Sequence, residues 1–108
     1  MRYVDVIKKD TITLSTDNPV KLFAADSSAR TGWRCGVPAS SATDLIFAVV
    51  GIEDPAPSRA DMLAWNQFYV VPRGVIEDGA GAGCSIYVVR VSSVPVTLTP
   101  FEIFPNFQ

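Results

Sequence analysis

Histidine is absent from this 108-residue sequence. It is the commonest general base, and it activates many serine and cysteine nucleophiles. It is also a frequent ligand in metal sites of mixed nitrogen and sulfur donors. We therefore expect a protein that is not an enzyme and that uses neither a cofactor nor a metal ion.

Cysteine is scarce, with residues 35 and 84 far apart and in no Cys-x-x-Cys pair. This spacing indicates neither a zinc site nor a thioredoxin-like redox pair. If the chain folds in a reducing cytosol, free thiols are favoured over a disulfide. We expect Cys35 and Cys84 to be buried thiols, with a disulfide between them as the less favoured alternative.

Charge and long apolar runs are also limited. Nine Lys and Arg residues face eleven Asp and Glu residues, and they form no basic stripe that would bind phosphates. No apolar run approaches the ~20 residues of a membrane-spanning helix, and residues 1–5 alternate like a strand, unlike a signal peptide. We expect no nucleic-acid partner, no membrane association and synthesis in the cytoplasm.

Alternation of apolar and polar residues with period two is the dominant pattern in the chain. It predicts an all-β fold, in which residues 1–108 form a single β-sandwich or small barrel of about seven to eight short strands. The predicted strands are residues 3–7, 11–14, 20–23, 31–37, 45–50, 68–71, 84–91 and 94–99.

Several segments carry more specific expectations. Residues 45–50 are apolar on both faces, which predicts a central strand or one covered by a partner. Residues 68–71 and 84–91 are predicted to be neighbours. At most one short helix is expected, near residues 58–65, with Ser58 as its N-cap, Asp61 at its third position and Met62 and Trp65 on one side.

Other clusters of functional side chains match no specific site. Residues 79–83 are glycine-rich but lack the spacing of a phosphate-binding loop, so we interpret them as a hairpin loop. The acidic residues follow no calcium-loop pattern, although a pair of them in a small hydrolase remains an alternative. Four aromatic residues are assigned to the core, with a carbohydrate-binding platform as the alternative: Trp33, Trp65, Phe68 and Tyr69.

The C-terminal segment, residues 100–108, holds three of the six phenylalanines. Two prolines in it are expected to keep it out of a central strand. Burial of one Phe side chain stabilises by roughly 1.5–3 kcal/mol, so a groove that receives this tail gains several kcal/mol. We predict a docking tail whose interface residues are Phe101, Phe104 and Phe107.

From Val20 onward, the order of elements resembles that of small β-sandwich virion proteins of tailed bacteriophages. These are the capsid decoration or cement proteins and the base domains of head fibres. The resemblance covers about two-thirds of the chain, and the segments that carry it are residues 20–24, 29–32, 40–45, 71–74 and 86–92.

This resemblance implies a homo-oligomeric, non-catalytic protein of the virion that is assembled in the host cytoplasm. Its expected function is that of a capsid decoration or cement protein, which binds other virion proteins such as the major capsid protein and stabilises the phage head. The open alternatives are a carbohydrate- or receptor-binding module, a structural protein of the phage neck or tail, and a small hydrolase that uses two carboxylates.

Overall fold

The computed structural model describes residues 2–24, 30–72, 74–78 and 83–107, with side chains described for residues 5–24, 30–72 and 83–104. The all-β prediction is confirmed, and so is the single short helix. The described elements are β1 (Arg2–Lys8), β2 (Ile12–Leu14), β3 (Val20–Phe23), β4 (Gly32–Val37), β5 (Leu45–Gly51), α1 (Arg59–Trp65), β6 (Phe68–Val70), β7 (Gly74–Asp78), β8 (Cys84–Arg90) and β9 (Val96–Phe107).

The strands form two antiparallel sheets. Sheet I has the order β1-β9-β4-β7, and β2 also pairs with β9. Sheet II has the order β3-β8-β5-β6. β1 and β2 follow the same edge of β9 in registers that differ by one residue, so together they act as one long edge strand with an interruption at residues 9–11.

The main core lies between the sheets and is built from every second side chain of the strands, those that point inward. The indole ring of Trp33 stacks on the Phe47 ring at a centroid distance of 5.3 Å, and the Phe23 ring lies 6.0 Å from Trp33. Cys35 and Val37 are buried beside them, as the alternation of residues 31–37 predicts. The fully or nearly fully buried members of this core also include Leu14, Leu45, Ile86, Val88, Val96 and Leu98.

A second apolar cluster lies on the other face of sheet II, where α1 packs. Met62 of the helix is completely buried with side chains of β5 and β8, which explains why residues 45–50 are apolar on both faces. Ser58 caps the helix and forms the predicted capping box with Asp61. Met62 and Trp65 are three positions apart in this helix and so lie on one side of it, but Trp65 ends the helix, borders a cleft and is 50% exposed.

One expectation about strand order is wrong, and one strand was not predicted. Residues 68–71 and 84–91 are not neighbours, because β5 lies between β6 and β8. The segment 74–78, to which no strand was assigned, is β7 and pairs with β4. β7 and β8 belong to different sheets, so these two strands do not pair as a hairpin. Of the predicted hairpin loop, residues 79–82 lie outside the described residues.

The expectation that prolines exclude residues 100–108 from a central strand is wrong for residues 100–103, which lie between β4 and β1, whereas residues 104–107 continue β9 but pair with β1 alone. The carbonyl of Pro100 accepts from the Lys9 N–H at 2.9 Å. The Pro100 nitrogen therefore faces the interruption between β1 and β2, where no ladder donor is needed. Pro105 points to the opposite side, and the pairing of β4 with β9 has already ended there, at Gly32 and Ile103.

A buried ion pair connects the two sheets at one end of the sandwich. The Arg30 guanidinium donates from Nη1 to Glu102 Oε2 at 3.1 Å, and from Nη2 to the Cys84 carbonyl at 2.6 Å. The Arg30 side chain is fully buried and the Glu102 side chain is 11% exposed. Lys9, half exposed, lies 3.2 Å from the other carboxylate oxygen. Glu102 is thus the described counter-ion of a charge that water does not reach.

A second arginine occupies the opposite end of β8. Arg90 is buried, and it donates to the Leu14 carbonyl at 3.3 Å and to the Asp17 carboxylate at 3.0 Å. Arg59, the first residue of α1, donates to the Arg90 carbonyl at 2.6 Å. Hydrogen bonds from Ser93 and Arg90 lower the pKa of Asp17. This network joins the helix, the loop after β2 and the end of β8.

Glu102→Ala should lower the free energy of unfolding by about 3–5 kcal/mol, because it removes the carboxylate to which the buried Arg30 guanidinium donates. Lys9→Ala removes an exposed ion pair to the same carboxylate and should cost less than about 1 kcal/mol. Urea denaturation followed by tryptophan fluorescence measures both values. Equal losses in the two variants would show that the burial of Arg30 does not set the cost.

Candidate functional site

The acidic residues near α1 have structural roles. Asp54 Oδ2 accepts from the Gly51 N–H at 2.9 Å, and Asp61 Oδ2 accepts from the Ser58 N–H at 3.1 Å in the capping box. Among the described residues, no group of three or more Cys, Asp or Glu side chains has the geometry to hold a metal ion. Each of these two carboxylates is therefore tied to the backbone of its own turn.

The four aromatic residues considered as a carbohydrate platform do not share a surface. Trp33 is buried between the sheets and Phe68 packs against the same core. Trp65 and Tyr69 are both about half exposed. The Tyr69 hydroxyl donates to Asp44 Oδ2 at 2.6 Å, and this hydrogen bond raises the pKa of Tyr69. Core packing thus holds for two of the four, and two are open to solvent.

A cleft of about 310 Å³ lies between the end of β5, the loop after it and α1. Trp65 forms one wall of the cleft, and Pro55 and Pro57 of the connecting loop also line it. Asp54 and Asp61 contribute its carboxylates. The cleft thus combines an exposed indole ring with acidic groups that the neighbouring turns hold in place.

The outer faces of the two sheets differ in what packs on them. α1 packs on part of the outer face of sheet II, where Tyr69 stays half exposed, whereas no described helix packs on that of sheet I, where Val6 and Lys8 are exposed. Val6 lies directly opposite Ile103, and Lys8 lies directly opposite Phe101. Directly opposed residues of a ladder have side chains on one face. Val6, Phe101 and Ile103 therefore form an apolar group, which we call the outer patch.

The three phenylalanines predicted as interface residues all lie on β9. Phe101 and Phe104 are half-buried and, because they are three positions apart, they lie on opposite faces of the strand. Phe107 pairs with Arg2 in the backbone register, but its side chain lies outside those described. Of the three, Phe101 belongs to the outer patch. An interface role for all three stays a prediction.

Sequence reasoning missed the contributions of Val6 and Ile103 to the outer patch. Val6 was assigned to a strand, and Ile103 was included in the tail, but nothing in the pattern indicated that they would pair. The missing information was the register of β1 on β9, which brings together residues almost a hundred positions apart.

The two cysteines are free thiols in different environments. Cys35 is fully buried, as predicted, and burial raises its pKa to about 12, so the thiol is neutral at ordinary pH. Cys84 begins β8 and is half-buried, so the expectation of full burial is wrong for this residue.

No protein-family model matches this chain, and no curated protein or solved structure is significantly similar to it. In the described part of the chain, no helix combines the length and the apolar character needed to cross a membrane.

Cys84 should react with a thiol reagent in the native protein at least about tenfold faster than Cys35, because only a deprotonated, accessible thiol attacks. Intact-mass spectrometry over time counts the labels, and Cys84→Ser should remove the fast label alone. Equal labelling rates, or a fast label that persists in Cys84→Ser, would contradict the different burial of the two thiols.

Proposed function

We propose that this chain is a non-catalytic structural protein of a bacteriophage particle, a capsid decoration protein that attaches through the outer face of sheet I. The observation that carries the proposal is the outer patch, which places apolar side chains on one face of the sandwich while α1 packs on the other. A flat, largely apolar surface that is flanked by polar side chains is typical of a protein interface.

The surroundings of the outer patch define the chemistry of its partner. In one row across sheet I, Glu77 of β7, Arg34 of β4, Phe101 of β9 and Lys8 of β1 lie side by side. A basic residue therefore stands on each side of Phe101, and the acidic Glu77 lies opposite Arg34. A complementary surface has an apolar pocket for Phe101 and an acidic group at its rim for Lys8. We propose that the major capsid protein presents this surface at the outside of the phage head.

The outer patch also fits a subunit made for attachment because its residues lie on rigid strands. Phe101 and Ile103 belong to the part of β9 that pairs with β1 on one side and with β4 on the other. Side chains on a central strand lose little conformational freedom on binding, which favours affinity. The neighbouring Glu102 points to the opposite face and fixes this part of β9 through Arg30.

Phe101→Thr should weaken binding to capsids of the encoding phage by at least about tenfold, since truncation of a central aromatic residue at an interface costs about 2 kcal/mol or more. Threonine keeps the strand preference of the site. The measurement is co-sedimentation of the purified protein with capsids that lack it, at increasing protein concentration.

The matched control is Ile52→Thr, which removes the side chain of another exposed apolar residue, 63% exposed and located in the loop after β5. This variant should bind capsids like the unchanged protein. Equal binding of Phe101→Thr and the unchanged protein would remove the outer patch as the attachment surface. Failure of the unchanged protein to bind capsids would remove the proposed function.

A second candidate function, glycan or receptor binding, has one observation in its favour. Trp65 is half exposed and borders the cleft that also contains the carboxylates of Asp54 and Asp61. An aromatic ring beside hydrogen-bonding groups is the usual arrangement for holding a sugar ring. A glycan array tests it: a signal that is lost in Trp65→Ala but kept in Phe101→Thr would favour this function over the first.

A further inference from the structure

We infer that β1 pairs antiparallel with β1 of a second copy, so that two copies of sheet I form one continuous sheet across a twofold axis. This inference rests on the proposed function, because it supplies the homo-oligomeric contact that a decoration protein uses between its own subunits. It goes further in naming the strand, the partner and the register.

β1 is the longest edge strand in the described part of the chain. β6 has three residues, β7 has five, and β3 has four with a register shift between Lys21 and Phe23. Short length and bulges are the usual means of blocking an edge against pairing. β1 runs for seven residues in unbroken register with β9 and contains no proline.

The backbone groups of β1 are oriented for such pairing. The Lys9 N–H donates to the Pro100 carbonyl of β9, so the odd-numbered residues of this strand point their backbone groups toward β9. The even-numbered residues, Val6 and Lys8 among them, therefore point their N–H and C=O groups to the free edge. A second strand placed there receives hydrogen bonds without any change in the pairing of β1 with β9.

The twofold axis and the charges together select the register. The axis keeps each side chain on the same face of the sheet in both copies. Two residues that lie opposite each other must therefore both be odd-numbered or both be even-numbered. Each possible register is then defined by the sum of the two residue numbers, which is even. A sum of 10 places Asp5 opposite Asp5 of the other copy, and a sum of 16 places Lys8 opposite Lys8. A sum of 12 leaves Asp5 opposite Ile7. A sum of 14 places Ile7 opposite Ile7, with Asp5 opposite Lys9 on each side of it.

The apolar residues support the same register. Ile7 is 49% exposed and Val6 is 41% exposed. In the register with a sum of 14, Ile7 contacts Ile7 of the other copy at the twofold axis. The two Asp5 to Lys9 pairs lie on either side of this contact. Val6 lies against the alkyl chain of Lys8 on the other face, where it stays continuous with the outer patch.

Cysteine cross-linking tests both the pairing and its register, in a Cys84→Ser background that leaves Cys35 buried. In the inferred register, residue 7 forms a non-hydrogen-bonded pair with a Cα separation of about 4.5 Å, which suits a disulfide. Residue 6 of one copy then lies diagonally across from residue 6 of the other copy, at a distance of about 7–8 Å. Under mild oxidation, Ile7→Cys should therefore give at least about fivefold more cross-linked dimer than Val6→Cys.

A backbone variant provides the second measurement. Val6→Pro removes an N–H that points to the free edge and leaves the hydrogen bonds to β9 in place. Introduced into Ile7→Cys, it should reduce the dimer at least about fivefold, whereas Val6→Thr, which keeps the N–H, should not. Circular dichroism and the urea midpoint confirm that each variant remains folded.

Each outcome decides between named possibilities. More dimer from Val6→Cys than from Ile7→Cys would overturn the register, and no dimer from either would overturn the pairing. A protein that binds capsids but does not cross-link would remove this inference and leave the proposed function intact. A protein that cross-links but does not bind capsids would remove the proposed function and leave the pairing of β1 intact.

Discussion

The buried ion pair between Arg30 and Glu102 is the constraint on which the arrangement of the two sheets depends. Arg30 brings a charge into a site without solvent, and the energetic cost of that burial is offset by hydrogen bonds to Glu102 in sheet I and to the carbonyls of Ala24 and Cys84 at sheet II. A shift of β9 by one residue would turn Glu102 to the outer face and take its carboxylate away from the guanidinium. The pair therefore fixes the register of β9, and β9 in turn positions β1, β2 and β4.

The two prolines of β9 belong to the same constraint. In a strand that pairs on both sides, every backbone N–H donates to a neighbouring strand. Proline lacks this N–H, so it fits only where the neighbouring strand ends or is interrupted. Pro100 faces the interruption between β1 and β2, and Pro105 lies beyond the end of the pairing with β4. Each proline thus matches a gap in the ladder next to it. These gaps make the last part of β9 and β1 a two-stranded ribbon that extends past β4.

The sequence was informative where a strand has one buried face and where a local motif sets the structure. Alternation predicted β4 with Trp33 and Cys35 inside, and the Ser58 and Asp61 pair predicted the start of α1. These features depend on neighbours within a few residues. The same reasoning also identified β5 as apolar on both faces, although it did not identify α1 as the element that covers it.

Features that depend on distant partners escaped prediction. β7 has a glycine at its start and two acids at its end, so its local pattern is that of a loop, and pairing with β4 makes it a strand. The prolines of β9 are compatible with a strand because of gaps in β1, β2 and β4, which are far away in sequence. The outer patch forms by the pairing of residues 6 and 103. The local pattern showed the apolar residues but not the surface that they form together.

The adjacent residues Val6 and Ile7 show why the ribbon is unlike the rest of the sandwich. Neighbours on a strand point to opposite faces, so an edge strand over one core normally buries one of them and exposes the other. Here both are more than two-fifths exposed, at 41% and 49%. The described core lies on one side of sheet I, so burial of Val6 needs a partner on the outer face, and burial of Ile7 needs one at the edge or beneath the ribbon. A contact with a single flat partner covers one of the two, whereas a sheet that is continued at its edge and also packed on its outer face covers both.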